Sequence, residues 1–349
     1  MKSLIDKLYK YNYLNREELL TLLDNMTEED KELLFDRAHE TRIAHYGDKV
    51  FMRGLIEFTN FCKRNCKYCG IRAGNRNADR YRLTIEEILE ACEEGYNLGY
   101  KTFVLQGGED DYYNDDLIVT IVKKIKEKYS DCAVTLSIGE RSYKSYEKYF
   151  AAGADRYLMR HETASEEIYK VLHPGMTLDN RKKCLRNLKE IGYQVGAGFM
   201  VGLPNQTNDD YVNDLIFLKE LEPHMVGIGP FIPHKDTPLG NEKGGTVETT
   251  IIMLALVRLL LPSVLLPATT ALGSIDPIGR EKGIKAGANV VMPNLSPLSV
   301  RKKYDLYNGK ICTGDEAAEC RMCIEGRIKR AGFSVDMARG DNIAWSRDN

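Results

Sequence analysis

MRGLIEFTNFCKRNCKYCG, residues 52–70, carries the two signals that decide how the chain is read. Met52–Phe58 is a short run rich in apolar and β-prone residues, and it predicts a strand. Three cysteines follow at once as Cys62-x3-Cys66-x2-Cys69. Thiolates this close in sequence can wrap one soft metal centre, because they suit both iron–sulfur clusters and zinc. A structural zinc takes four ligands, usually as two separated pairs, and no fourth ligand lies near. Three cysteines on a 4Fe–4S cube would leave one iron open to a small molecule. Lys63, Arg64 and Lys67 bring positive charge that offsets thiolates and sulfides. On spacing alone, zinc or unliganded reactive thiols stay open.

The strand-then-polar-loop pattern recurs downstream. Strands are predicted at Met52–Phe58, Thr102–Leu105, Ala133–Ser137, Arg156–Met159, Gln194–Val201, Met225–Gly229, Pro267–Leu272 and Asn289–Met292. Helical periodicity fills the gaps at about 84–99, 114–128, 142–152, 164–172, 178–191, 207–221, 247–260 and 277–286. Strict alternation implies a parallel sheet with right-handed crossovers, and eight such units are the number that closes a TIM-type (β/α)8 barrel. A doubly wound open sheet is the alternative, since strand order is invisible in sequence. The reading divides the chain into N-terminal helices over 1–48, a barrel over 49–300 and a cysteine-containing extension over 301–349. Asn15 with Glu18, Thr27 with Asp30 and Thr84 with Glu87 have capping-box spacing.

Composition sets the outer limits. Lys and Arg number 49 against 51 Asp and Glu, a net charge of −2, so there is no electrostatic case for nucleic-acid binding. The longest apolar run, 251–261, is too short to span a membrane and is interrupted by Arg258. The first twenty residues are amphipathic and charged, unlike a signal peptide, so a cytoplasmic protein is expected. Nine cysteines, an odd number in that compartment, argue for metal or catalytic use rather than a disulfide framework. Cys92, Cys132 and Cys184 stand alone and read as buried thiols, whereas Cys312, Cys320 and Cys323 form a second, looser group.

The CxxxCxxC spacing, with Tyr68 before its last cysteine on the loop after the first strand, resembles the radical S-adenosylmethionine (SAM) superfamily. The resemblance implies a 4Fe–4S cluster on Cys62, Cys66 and Cys69 whose open iron binds the methionyl group of SAM. An electron from the cluster then releases a 5′-deoxyadenosyl radical. Gln106-Gly107-Gly108-Glu109 falls where that superfamily receives the methionyl ammonium. Thr135, Ser137, Arg160, Glu162, Arg181 and Met200 are the further cofactor-binding positions it implies, with Arg181 suited to a carboxylate and Glu162 to ribose hydroxyls or the ammonium.

Longer words narrow the resemblance. IEFTNFCKRNCKYCG, DRYRLT, VLQGGED, RHETA, MVGLPNQT, GIGPFIPHKDTPL, LPATTALG and GANVVMPN together look like the HydE family of FeFe-hydrogenase maturases over residues of about 50–323. That family implies a complete barrel, an organometallic iron substrate carrying carbon monoxide, cyanide and cysteine, two partner maturases and an electron donor. The late cysteines match an auxiliary 2Fe–2S or 4Fe–4S site found in some members, with zinc or a structural remnant as the alternative. Arg53 on strand one, Thr269 and Thr270 on strand seven, Met292 ending strand eight and Tyr304 beyond it are expected to meet the substrate, although strand parity is not fixed by sequence. His161, between Arg160 and Glu162, is expected to point away from the cavity they line, and His224 and His234 to be loop or core residues. Methylornithine synthase and biotin synthase share the barrel and motif and are the nearest alternatives. A non-catalytic iron–sulfur scaffold or carrier is a reading from another class.

Overall fold

The computed structural model describes residues 1–314 and 317–347. Among these, the strands in chain order are β1 (Lys49–Met52), β2 (Gly54–Thr59), β3 (Thr102–Gly107), β4 (Ala133–Ser137), β5 (Arg156–Leu158), β6 (Gln194–Ala197), β7 (Met200–Val201), β8 (Met225–Val226), β9 (Gly229–Pro230), β10 (Val290–Val291) and β11 (Ser334–Asp336). β2, β3, β4, β5, β6 and β8 form one parallel sheet in that order. Its register sets Glu57 against Gln106, Gln106 against Ser137 and Thr135 against Arg156. Parallel bridges carry the circle round, Met225 to Leu265, Pro267 to Val290 and Asn294 to Leu55. Eight strand positions therefore close on themselves, with helices outside, as the alternation predicts.

Strand seven is the weakest of the eight. The sequence predicts a strand over Pro267–Leu272, but pairing stops at Pro267 and a short helix, Thr270–Ile275, begins three residues later. Thr269 caps it by accepting the Leu272 N–H, so its hydroxyl favours a helix start over an extended chain. Strands five and six are also broken, resuming as the paired β7 and β9. At Gly198, φ is +144° and an added Cβ would lie 2.0 Å from the Gly227 carbonyl oxygen, so only glycine allows this break.

The helix Val247–Leu260 is apolar on nearly every face, and the packing explains why. The helix Glu28–Tyr46 lies over it on the side away from the barrel. Arg258, fully buried within it, donates to the carbonyls of Pro262, Val264 and Gly287, and burial pulls its guanidinium down to about 9. The capping boxes at Asn15, Thr27 and Thr84 all form.

The chain's end seals the N-terminal face of the barrel. β11 pairs with β1, and the following residues turn under the strands. Arg156 donates to the Arg339 carbonyl and to Asp341, Arg53 to the Gly340 carbonyl, and Gln194 to Asp341. Asn342 bonds the carbonyls of His224 and Ser263. One face is thus closed by polar contacts, and the opposite face holds the open cavity.

Candidate active site

Cys62, Cys66 and Cys69 lie on the loop after β2, and all three line one cavity of about 380 Å3 at the C-terminal ends of the strands. The loop has little regular structure and is held by side chains instead. Arg80 donates to the carbonyls of Asn60, Ile71, Arg72 and Asn75, tying both ends of the loop to one guanidinium. Backbone N–H groups of Lys63, Lys67 and Gly70 reach the carbonyls of Glu109, Leu172 and Leu306. The cysteine loop is thereby sewn to three other parts of the mouth.

The thiols fit a cluster. They share the cavity without converging on a single-ion position, and among the described residues no group of three His, Cys, Asp or Glu side chains could hold a lone metal ion. A cluster spreads its protein ligands over several irons, which suits three separated thiols. Burial pushes the Cys66 thiol up to about 12, reinforced by Cys62, and raises Cys62 and Cys69 as well. Loading such a site therefore releases protons. Seven charged side chains line the cavity, Arg64, Arg160, Arg181 and Lys310 against Glu57, Glu109 and Glu162, leaving one positive charge before the thiolates are counted.

The Gln106–Glu109 segment ends β3 directly against the cysteine loop, where a Cβ on Gly108 would stand 2.6 Å from Cys62 Cβ, and all four of its residues line the cavity. Glu109 is buried, taking the Arg64 Nε at 2.6 Å on one oxygen and the Glu140 backbone N–H at 3.0 Å on the other. Its carboxylate crosses so close to Gly139, where φ is +71°, that a Cβ there would stand 2.3 Å from Glu109 Cγ. Arg181 is fixed by Glu140 at 2.7 Å through Nε and by the Arg160 carbonyl through Nη1. Its Nη2 has no hydrogen bond among the described residues, so that nitrogen is left for a ligand on the cavity wall. Glu162 sits at φ +68°, a left-handed conformation uncommon for a residue with a side chain, and its Oε2 is buried without a hydrogen bond, with Arg160 Nη2 3.2 Å away. Tyr68 lines the cavity and its hydroxyl donates to His173 Nε2, since His173 Nδ1 faces the Tyr169 carbonyl and burial keeps that imidazole neutral, down at about 3.

Of the expected cofactor positions, Tyr68, Gln106, Gly107, Gly108, Glu109, Ser137, Arg160, Glu162, Arg181 and Met200 all line this cavity. Thr135 does not. It lies with Arg53, Arg156, Gln194 and His224 around a separate void of about 10 Å3 near the barrel floor. Thr135 and Ser137 have the same strand parity, so depth separates them: Ser137 is one inward layer nearer the mouth. Arg53 is displaced for the same reason, between β1 and β2 with its guanidinium on the Gly340 carbonyl. Neither residue belongs to this cavity. Thr269, Thr270, Met292 and Tyr304 do line it, the two threonines from the short helix start rather than from a strand. His161 turns away to Asp214 at 3.1 Å and accepts the Gly198 N–H.

Sequence reasoning gave no role to Glu140, which anchors Arg181, or to the pair Glu57–Lys310, which lines the cavity at 2.6 Å. The first had a usable signal, an acid just past strand three. Lys310, beyond the last barrel strand, had none.

The second cysteine group lies at the rim. Cys312 receives both terminal nitrogens of Arg280 at 3.7–3.8 Å, and contact with Cys312, then burial, raises the Cys320 thiol. Cys323 is exposed one turn further along the helix Ala317–Arg330. None of the three lines the cavity, but Arg280 also donates to Thr270 Oγ1, which does.

Comparison with known proteins adds to this geometry. Residues 56–218 match the model of the radical SAM superfamily. Over 331 residues, the chain is 50% identical to the "[FeFe] hydrogenase maturase subunit HydE" of Thermotoga maritima, covering 95% of this chain and 94% of that one. A 3-methylornithine synthase of Methanosarcina acetivorans is 30% identical over 305 residues, 86% of each chain. Among solved structures, methylornithine synthase superposes with a TM-score of 0.84 at 28% identity, covering 95% of this chain and 97% of that one.

Proposed function

The chain belongs to the radical SAM superfamily and, within it, to the HydE family of FeFe-hydrogenase maturases, and from that premise we propose that its cavity holds SAM against a cluster and directs the resulting radical at an organometallic iron complex. The observation that carries the reading is the meeting of three thiols, the Gln106–Glu109 segment, Glu162 and Arg181 in one cavity. A carrier protein needs the thiols but has no use for the rest.

When bound, a 4Fe–4S cluster on Cys62, Cys66 and Cys69 supplies the electron that splits SAM into methionine and a 5′-deoxyadenosyl radical. The chain's own residues bind and orient. Arg181, already held by Glu140, offers its free nitrogen to the methionyl carboxylate. Glu109 and the carbonyl groups of the glycine turn receive the ammonium. Glu162, held in place beside Arg160, suits the ribose hydroxyls. Tyr68, Met200 and Ser137 wall the cofactor and keep water from the reacting carbon. Thr269, Thr270, Met292 and Tyr304 line the remaining space and face the substrate, an iron species with carbon monoxide, cyanide and cysteine ligands.

The wider reading is cytoplasmic assembly with the other hydrogenase maturases and an electron donor. Among the described residues no helix is long and apolar enough to cross a membrane. Cys312, Cys320 and Cys323 are the proposed auxiliary cluster site, on the rim and apart from the radical. The test is maturation itself. Apo-hydrogenase mixed with the partner maturases and this protein gains hydrogen-evolving activity. Activation that proceeds equally without this protein contradicts the reading.

A further inference from the structure

Lys310 stands out among the cavity's charges because sequence gives it no role and the cofactor needs none from it. It comes from the segment after the eighth strand, and its side chain is only 8% exposed. Its partner Glu57, at 2.6 Å, is 2% exposed and sits on β2 between the apolar Ile56 and Phe58. Burying an ion pair costs desolvation that the attraction does not reliably offset, so a pair kept at a cavity wall calls for a reason beyond stability.

The donors and acceptors supply that reason. Both oxygens of Glu57 are engaged: Lys310 donates to Oε1, and Asn294 donates to Oε2 at 2.8 Å. Lys310 is only partly engaged. An ammonium has three N–H donors, and two go to Glu57 and to the Tyr304 carbonyl at 2.7 Å. No other hydrogen bond to Lys310 occurs among the described residues. The Tyr304 ring, with its centroid 4.8 Å from Nζ, steadies the cation, and Lys310 itself lines the cavity. Nearby Gln106 Nε2 meets the Tyr304 hydroxyl, so the ammonium, the phenol and the amide form one polar wall.

We propose that Lys310 is a substrate-binding residue, its third N–H receiving an anionic acceptor of the iron complex, with Glu57 and Asn294 positioning it. The inference rests on the substrate class given above. Metal-bound cyanide exposes a basic nitrogen and cysteine a carboxylate, whereas carbon monoxide is a poor acceptor. A single fixed ammonium therefore orients a complex that carries both kinds of ligand.

The test uses reconstituted wild-type protein with Lys310→Gln, Lys310→Arg and the double variant Glu57→Gln/Lys310→Met, titrated with a chemically prepared iron complex of carbon monoxide, cyanide and cysteine. KM and kcat come from complex-dependent 5′-deoxyadenosine formation, and the cyanide stretch of the bound complex is read by infrared without SAM. Lys310→Gln raises KM by about tenfold or more while kcat moves less, and Lys310→Arg recovers most of the loss. The double variant leaves no unpaired charge, so it melts near wild type yet keeps the raised KM. A cyanide band that differs between wild type and Lys310→Gln assigns the contact to cyanide, and an unchanged band with raised KM assigns it to the carboxylate. Unchanged KM in Lys310→Gln or in the double variant overturns the inference. Wild-type protein that cleaves SAM but ignores the complex overturns the substrate class, and the role of Lys310 with it.

Discussion

Arg181 is held at two nitrogens before any ligand arrives, and that is what makes a single guanidinium useful for recognising a carboxylate. Removing it does two things. Arg181→Leu leaves the buried Glu140 with only Asn180 and a long contact to Arg64, which costs about 3 kcal/mol of stability. It also removes the donor to the methionyl carboxylate, worth about 1.5–3 kcal/mol of SAM affinity. Thermal melting and SAM binding by calorimetry separate the two, and unchanged affinity in a folded variant removes Arg181 from the site. Arg181 was legible in sequence only through family resemblance, and Glu140, which holds it, was passed over although it follows strand three. Glu57 had its own signal, an acid inside an apolar strand run, but parity could not say that it faced a cavity. Thr135 and Arg53 were expected at the cavity and lie near the floor, because sequence reports which way a strand residue points far better than how deep it lies.

At the scale of elements, the barrel strands were legible where alternation was strong, from Thr102 to Ser137, and least where pairing is shortest. Strand seven failed because two consecutive threonines fit a β-branched strand as well as a helix start, and only the hydrogen bond to Leu272 decides. The segment that closes the floor had no periodic signal at all. Its contribution is testable through Asp341. Burial alone would raise that carboxyl, but Arg156, with Arg339 and Gln194, draws it from 3.8 down to about 2. A depressed native pKa stabilises the fold above the unfolded value and loses that stability as pH falls from about 4 towards 2. Asp341→Asn should therefore cost about 1–2 kcal/mol at pH 7, allowing for solvent screening, with the difference shrinking over that acid range. A constant difference from pH 7 to pH 2 would contradict the assignment. The helix bearing Cys320 and Cys323 gives a second element-level prediction. Its thiols stand outside the cavity, so the triple change of Cys312, Cys320 and Cys323 to Ala retains the first cluster, SAM cleavage and hydrogenase maturation. Loss of maturation with cleavage intact would draw the second group into the reaction.

For the whole molecule, one face of the barrel is shut by residues 334–342 and the other opens onto thiols, a glycine turn and charged side chains of both signs. That polarity assigns stability to the floor and chemistry to the mouth. The account depends on Cys62, Cys66 and Cys69 acting as one ligand set for a cluster that drives SAM cleavage. The most direct measurement is 5′-deoxyadenosine and methionine formed from SAM and a strong reductant by anaerobically reconstituted protein, with bound iron and sulfide counted, in wild type and in Cys66→Ser. Wild type binds the cluster and forms both products, and Cys66→Ser loses cluster iron and forms neither above background. A wild-type rate of cleavage in Cys66→Ser would contradict the account.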